Sequence, residues 1–176
     1  MTHDHTVAPS PWIIRFAPLI RVGGPVLDVA CGAGRHSQLF TQSGHPVTAL
    51  DQDTSLIHPN PHITAIKADL ENGNPWPLPN HTFAGIVVTN YLCRPIFPAL
   101  IQALEPGGIF LYETFAAGNE AFGRPRNPDF LLARGELLNQ TQGLTVIAYE
   151  DGIVAQEKVV QRICAMKSDG PGIIPL

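Results

Sequence analysis

One stretch near the amino terminus restricts the possible folds more than any other. Residues 26–29 form a short aliphatic run, Gly32-Ala33-Gly34 interrupts it, and the residues from Arg35 onward have a helical pattern. A buried strand that turns at glycines into a helix leaves free backbone N–H groups at the end of a sheet. The stretch therefore predicts a strand–turn–helix unit that holds a charged or polar cofactor at the turn.

Two features distinguish this loop from the dinucleotide-binding fingerprint G-x-G-x-x-G. Ser37 stands where the third glycine would be, and Asp28 lies in the strand just before the loop. A carboxylate there repels a pyrophosphate, but it attracts a ligand that carries an ammonium or a sulfonium group. The chain also lacks a Tyr-x-x-x-Lys motif. Both observations disfavour a nicotinamide-dependent oxidoreductase.

The segment from Asp28 to Ser37 resembles the glycine-rich signature of class I S-adenosylmethionine (SAM)-dependent methyltransferases, in which an acidic residue precedes a G-x-G loop. Arg35-His36-Ser37 is similar to the tellurite-resistance branch of small methyltransferases, as are residues 135–137 and 149–151. The resemblance implies SAM as cofactor, S-adenosylhomocysteine (SAH) as product and a seven-stranded sheet. The alternative is that the glycines only mark a tight turn.

The order of elements predicts an α/β fold with a doubly wound, mostly parallel sheet. Apolar strands alternate with helices from residue 26 to 114, which implies right-handed crossovers. Towards the carboxyl terminus we expect a helix over 128–142 and an antiparallel hairpin with its turn at Asp151-Gly152. We expect a flexible tail over residues 1–9 and a single domain over 10–176. The predicted strands are 26–29, 47–50, 63–67, 83–88 and 109–114, and the predicted helices are 12–20 (interrupted near Pro18), 35–43 and 93–104.

Acidic residues follow the second and third predicted strands. Asp51 ends the second strand, where a carboxylate accepts hydrogen bonds from both ribose hydroxyls of a nucleoside, and Gln52 is placed to flank the adenine. By resemblance to the family, Asp69 and the N–H of Leu70 bind the adenine, although Asp69 as a helix cap is the alternative. The predicted cofactor-binding residues are Asp28, Ala30, Gly32, Gly34, Arg35, Asp51, Gln52, Asp69, Leu70 and Asn90.

The fourth strand delivers Asn90 and Tyr91 to the place where the resemblance puts the methyl group. Neither N-P-P-Y nor D-P-P-Y is present, which disfavours methylation of a nucleobase amine. No Ser-His-Asp or Cys-His set is recognisable, so the catalytic residues are unknown. Asn90, Tyr91 and His36 are weak candidates, with a helix-surface histidine that contacts the cofactor as the alternative for His36. Cys93 is either a small apolar residue or a metalloid contact.

A loop over residues 115–127 brings together the one notable positive cluster in the sequence. Arg124, Arg126 and Asn119 form either an anion-binding lid over a small acidic substrate or part of a solvated surface loop. Arg94 and Glu113 are further candidates for the substrate side. Trp12 is expected either to pack against the core or to contact the substrate.

Composition excludes several classes of function. A net charge of −4 without long Lys/Arg runs argues against nucleic acid, and no apolar run is long enough for a membrane helix. Three cysteines without a C-x-x-C pair argue against disulfides and a metal, and they favour the cytoplasm. We expect a monomer or homodimer that methylates a small-molecule thiol, metalloid oxyanion or carboxylate or other oxygen by alignment. The alternative is a non-catalytic SAM-binding regulatory module.

Overall fold

The computed structural model describes residues 8–168, and these contain a seven-stranded sheet in the order β3-β2-β1-β4-β5-β7-β6. Strands β1 to β5 run parallel, whereas β7 pairs antiparallel with both β5 and β6. This confirms the predicted fold. The strands are β1 (Val26–Val29), β2 (Val47–Asp51), β3 (Ile63–Lys67), β4 (Phe83–Thr89), β5 (Leu104–Phe115), β6 (Thr145–Val154) and β7 (Lys158–Met166). Of the predicted tail, residues 1–7 lie outside the described part.

Within residues 8–168, four short α-helices accompany the sheet. Ser10 caps the first helix by accepting the Trp12 N–H at 3.2 Å, and the helix gives way to a 3-10 turn over Ala17–Leu19, which contains Pro18. Between residues 8 and 168, no helix is long and apolar enough to cross a membrane. The helices are α1 (Pro11–Phe16), α2 (Arg35–Gln42), α3 (Phe97–Gln102) and α4 (Glu136–Gln140).

In the described part of the chain, the core consists of two apolar clusters of buried residues. All seven residues of β4 are buried, as expected for a central strand that is covered on both faces. Trp12 is 2% exposed and its indole N–H donates to the Ile163 carbonyl at 3.3 Å, so α1 packs on the sheet. Burying one large apolar side chain of this kind contributes about 1.5–3 kcal/mol.

The boundary between α3 and β5 differs from the prediction. The helix ends at Gln102, and residues 104–108 already belong to β5, where Leu104 pairs with Phe83. The register between β4 and β5 shifts at this point, since Phe83 pairs with Leu104 and Gly85 with Ile109. Gly107, with a left-handed φ of +77°, lies among the extra β5 residues. A Cβ on Gly108 would lie 3.0 Å from the Phe83 carbonyl oxygen, so this close approach requires glycine.

Two predictions for the carboxyl-terminal part are wrong. Within 128–142 only Glu136–Gln140 is α-helical, because the backbone of Leu132 pairs with Phe115 and Ala117 instead. These bonds hold the chain extended before Gly135, at φ +71°, starts α4. The hairpin turn is at residues 155–157, whereas Asp151-Gly152 lies within the β6–β7 ladder.

Candidate cofactor and acceptor site

The glycine loop joins β1 to α2 through three residues in the left-handed region. The φ angles are +52° at Ala30, +54° at Gly32 and +79° at Gly34, which precedes the first residue of α2. A Cβ on Gly32 would meet no atom within 4 Å, so this glycine is required by its backbone conformation and faces open space. The turn predicted from the sequence is therefore present, and there is open space beside its backbone at Gly32.

Asp51 is fixed at the end of β2 by two backbone amides. Its Oδ2 accepts the Gly32 N–H at 2.8 Å, and its Oδ1 accepts the Asp53 N–H at 3.0 Å. The first bond ties the end of β2 to the glycine loop. The glycine loop and the end of β2, which the sequence predicts to bind one cofactor, are thus in direct contact.

A cavity of about 190 Å³ lies at this end of β2 and β3. Asp69, beside the cavity, closes a local turn by accepting the Glu71 N–H at 2.9 Å, and the next helical element of the described residues begins only at Arg94. The helix-cap alternative for Asp69 is therefore wrong. The cavity is lined by Ala30, Asp51, Gln52, Ala68, Asp69, Leu70, Glu71 and Tyr91.

The cavity includes five of the predicted cofactor residues and three further residues, Ala68, Glu71 and Tyr91. Tyr91 was a candidate for the acceptor side, and burial raises the pKa of its phenol, which keeps it neutral. Glu71 was missed, because no sequence motif marks a carboxylate in an irregular loop. A second groove of about 540 Å³ shares Asp69 and Glu71 with the cavity and continues along Trp76.

Asp28 lies beneath the loop and does not line the cavity. It is 1% exposed, and the Ser37 hydroxyl donates to its Oδ2 at 2.6 Å. Burial raises the pKa of Asp28 to about 6, although the bond from Ser37 opposes this shift. This carboxylate can therefore influence a ligand in the cavity only through its electrostatic potential, without direct contact.

His36 is buried, so the expectation of a helix-surface histidine is wrong. It is 2% exposed, its Nε2 accepts the Ser10 N–H at 3.0 Å, and its Nδ1 lies 3.4 Å from the Thr89 hydroxyl. Burial lowers the pKa of His36 to about 4, so the imidazole is neutral at pH 7. With Nε2 as acceptor, Nδ1 carries the hydrogen, and no lone pair is left for a substrate.

Glu113 is also buried and engaged. Its Oε1 accepts the Ser10 hydroxyl at 3.0 Å, and its Oε2 lies 3.3 Å from Nη1 of Arg162. Lys158 contributes a further positive charge at 3.9 Å. The guanidinium of Arg162 also pairs with Glu150 and stacks 4.8 Å from the centre of the Trp12 ring. Trp12 itself is part of the core, which is the first of its two interpretations.

The remaining acceptor-side candidates are dispersed. Asn90 is exposed, with φ +55°, and its N–H donates to the Glu113 carbonyl at 2.9 Å. Arg94 forms four hydrogen bonds: two to the Glu136 carboxylate, at 2.6 and 3.0 Å, and two to backbone carbonyls that precede α4. These bonds join the turn before α3 to α4, so the guanidinium of Arg94 is occupied by partners within the protein.

The 115–127 loop is anchored by one of its three predicted lid residues. Asn119 is 1% exposed, its Oδ1 accepts the Val159 N–H at 3.1 Å, and its Nδ2 donates to the Pro125 carbonyl at 3.3 Å. Arg124 and Arg126 are exposed on the surface of the loop. Asn119 therefore shapes the loop, while the two arginines face solvent.

Several solved structures are similar to this fold. TehB from Haemophilus influenzae matches with a TM-score of 0.74 and 18% identity over 94% of this chain, which spans 64% of TehB, less than two thirds of that protein. A SAM-dependent methyltransferase from Mesorhizobium loti matches with a TM-score of 0.67 and 20% identity, covering 87% of this chain and 96% of that one. The glycopeptide N-methyltransferase MtfA in complex with SAH matches with a TM-score of 0.60 and 22% identity, covering 87% of each chain.

The family of the chain follows from a sequence comparison. No curated protein is significantly similar to it in sequence. A family profile described as "Methyltransferase domain", however, matches residues 1–143, which is most of the chain. This match agrees with the glycine loop, the acidic residue at the end of β2 and the order of the seven strands. The chain therefore belongs to the methyltransferase domain family.

Proposed function

We propose that this protein binds SAM across the glycine loop and the 190 Å³ cavity, and transfers its methyl group to a small-molecule acceptor. The residues fit the cofactor on three counts. Gly32 leaves open space beside the loop, and Asp51 presents a carboxylate at the cavity. Asp28 supplies a buried negative group that matches the positive charge of a sulfonium and an ammonium.

In this proposal the other cofactor-binding residues contact different parts of SAM. Asp51 accepts hydrogen bonds from the ribose hydroxyls, and Gln52 flanks the adenine. Asp69 and the N–H of Leu70 bind the edge of the adenine. Arg35, Gly34 and Asn90 border the remaining cofactor, and Ala30 forms the wall of the cavity at the end of β1.

The proposed mechanism is alignment without a general base. The sulfonium of SAM supplies an electrophilic methyl carbon, so the protein needs to align a nucleophile with it and exclude water. The observation that carries this proposal is that His36 and Glu113, two titratable side chains near the carboxyl ends of β4 and β5, are both engaged in hydrogen bonds within the protein. An acceptor that needs little deprotonation therefore fits best.

We accordingly propose a thiol, a metalloid oxyanion or an ionised oxygen, such as a carboxylate, as the acceptor. The resemblance to the tellurite-resistance branch supports the oxyanion. Arg124 and Arg126 add two exposed positive charges on a loop that leaves β5 at the carboxyl edge, which supports an anionic acceptor. In this proposal the loop acts as a lid.

Two assays test the proposal. Isothermal titration with SAM and SAH measures cofactor binding, and mass spectrometry detects methyl transfer to a panel of thiols, tellurite, selenite and small carboxylates. We expect SAM binding and turnover of at least one class. Binding of NADH without binding of SAM would contradict the proposal.

One alternative has a specific observation in its favour. The same engagement of His36 and Glu113 removes these two side chains as general bases, as in a non-catalytic SAM-binding regulatory module. Tight SAM binding with no turnover across the panel would favour this alternative. Turnover of any acceptor, lost in an Asp51→Ala variant, would exclude it.

A further inference from the structure

The first described residues of the chain are tied to the carboxyl edge of the sheet. We call Ala8, Pro9 and Ser10 the strap. The Arg35 guanidinium donates to the Ala8 carbonyl at 3.2 Å, and the Ser10 N–H donates to His36 Nε2 at 3.0 Å. Both partners belong to the first turn of α2, directly after the glycine loop. The strap therefore lies beside the loop that, in the proposed function, binds SAM.

A third bond fastens the strap to the other side of this edge. The Ser10 hydroxyl donates to Glu113 near the carboxyl end of β5 at 3.0 Å. Ser10 is 5% exposed and Glu113 is 3% exposed, so water does not readily replace either partner. A hydrogen bond between buried groups is costly to break because its partners are left unsatisfied. Three hydrogen bonds therefore hold the strap against α2 and β5, and we call this position closed.

His36 connects the strap to β4 as well. Its Nδ1 donates to the Thr89 hydroxyl at 3.4 Å, and Thr89 directly precedes Asn90, which has the left-handed φ of +55°. One imidazole thus contacts the strap through one nitrogen and the end of β4 through the other. This double contact requires a neutral ring with a donor at Nδ1 and an acceptor at Nε2.

We infer that His36 is a positioning residue that holds the strap closed beside the glycine loop, slows release of the cofactor and fixes the backbone at Asn90. This inference rests on the proposed function for the identity of the cofactor. It assigns to His36 a role that acts through Ser10 and Thr89, without contact with the acceptor. It also explains why a histidine in the cofactor motif is buried.

The test compares three substitutions. His36→Ala removes both contacts, whereas His36→Gln keeps an amide oxygen for the Ser10 N–H and an amide N–H for Thr89. His45→Ala is the matched control, because His45 is also buried, at 6% exposure, and bonds the Gly24 carbonyl at 2.9 Å through Nδ1. Gly24 precedes β1, so this control lies at the opposite end of the strand from the glycine loop.

Two readouts follow the strap. The first is the dissociation rate of SAH, measured by stopped flow. The second is acrylamide quenching of Trp12, the second residue of α1, in a Trp76→Phe background that leaves one tryptophan. We expect His36→Ala to release SAH about tenfold faster and to increase quenching of Trp12. His36→Gln should restore both to within about threefold of wild type.

A pair of serine variants keeps the test valid if His36→Ala fails to fold. Ser10→Ala removes the hydroxyl alone, whereas Ser10→Pro removes the hydroxyl and the N–H that His36 accepts. Ser10 has φ −59° and ψ +133°, which proline adopts without strain. The difference between the two variants therefore reports the bond to His36. We expect faster SAH release from Ser10→Pro than from Ser10→Ala.

Two outcomes would overturn the inference. One is equal SAH release and equal Trp12 quenching in wild type and a folded His36→Ala variant. The other is the same acceleration in His45→Ala as in His36→Ala, which would indicate general destabilisation. Failure of the proposed function is distinguishable, because wild type would then not bind SAH, while quenching of Trp12 in the free protein would still report the strap.

Discussion

The two halves of the carboxyl edge of the sheet contrast in how their polar groups are satisfied. At the ends of β1, β2 and β3, Asp51 and Asp69 are tied to neighbouring backbone amides and line an open cavity. At the ends of β4 and β5, Ser10, His36 and Glu113 are buried and satisfy one another. We call the first the open half, because its carboxylates line a cavity, and the second the sealed half, because its polar side chains are occupied by hydrogen bonds within the protein. A polar residue at this edge is therefore not by itself evidence of a catalytic role.

The largest effect on stability is expected in the sealed half. Glu113→Ala leaves the Arg162 guanidinium without its buried partner, which is expected to cost about 3 kcal/mol in the free energy of unfolding, by analogy with other broken buried ion pairs. Glu105→Ala, which breaks the exposed pair with Arg21, should cost less than about 1 kcal/mol. Urea unfolding followed by circular dichroism measures both. Equal losses would show that the buried ion pair of Glu113 contributes no more to stability than an exposed one.

The largest effect on cofactor binding is expected in the open half. Asp51→Ala should weaken SAM binding about 100-fold, because the proposed site then loses two charge-assisted hydrogen bonds to the ribose. Asp53→Ala is the control, since the Asp53 carboxylate bonds the Ser55 N–H in an exposed turn two residues away. Isothermal titration gives both affinities. Similar affinities for the two variants would move the ribose away from Asp51.

The affinity for SAM is expected to depend on pH through the buried carboxylate of Asp28. Because burial raises the pKa of Asp28 to about 6, part of the free protein carries a proton there at that pH. A cationic ligand favours the ionised form, so SAM affinity should rise about fivefold from pH 5 to pH 7, with release of a proton. Titration in buffers of different ionisation enthalpy measures that proton. Asp28→Asn should abolish the pH dependence, and a variant that retains it would assign the effect to another group.

The same two halves should respond to pH with opposite signs in their stability. The folded state holds a proton on Asp28 up to about pH 6, above the ordinary range of a carboxyl group, so its contribution to stability falls as the pH rises to that value. His36, with its pKa lowered to about 4, contributes stability that is lost as the pH falls from 6.5 towards 4. Unfolding of Asp28→Asn and His36→Gln between pH 4 and 7 should separate two opposite slopes. Parallel slopes for wild type and both variants would contradict this account.

The smallest effect is expected at the surface of the 115–127 loop. If the loop is a lid for an anionic acceptor, replacing Arg124 and Arg126 together by alanine should raise the KM for that acceptor several-fold, while SAM affinity and stability stay unchanged. Steady-state kinetics at low and high salt measures this effect. An unchanged KM would favour the solvated-loop interpretation.

The sequence predicted the first half of the fold well because its signals there are local. A glycine turn after an aliphatic run and an acidic residue after the next strand depend on neighbouring residues, and the structure joins the two through the bond from the Gly32 N–H to Asp51. The helix expected over 128–142 failed because Leu132 forms backbone bonds with Phe115 and Ala117, residues distant in sequence. Local helical pattern does not report such pairing.

The sealed half could not be predicted for a related physical reason. The burial of His36 depends on Ser10, which is 26 residues away, and that of Glu113 depends on Ser10 across 103 residues. Contacts of this kind leave no spacing in the sequence. Arg94 similarly has the chemistry of a substrate-binding residue, and only the structure places Glu136, 42 residues away, against its guanidinium.

A crystal structure with SAH bound will show whether the cofactor occupies the open half of the carboxyl edge, as we propose. We expect the ribose against the Asp51 carboxylate, the adenine between Gln52 and Leu70, and the homocysteine portion beside the glycine loop. A ligand bound in the 540 Å³ groove along Trp76 instead, with the cavity beside Asp51 empty, would contradict this placement.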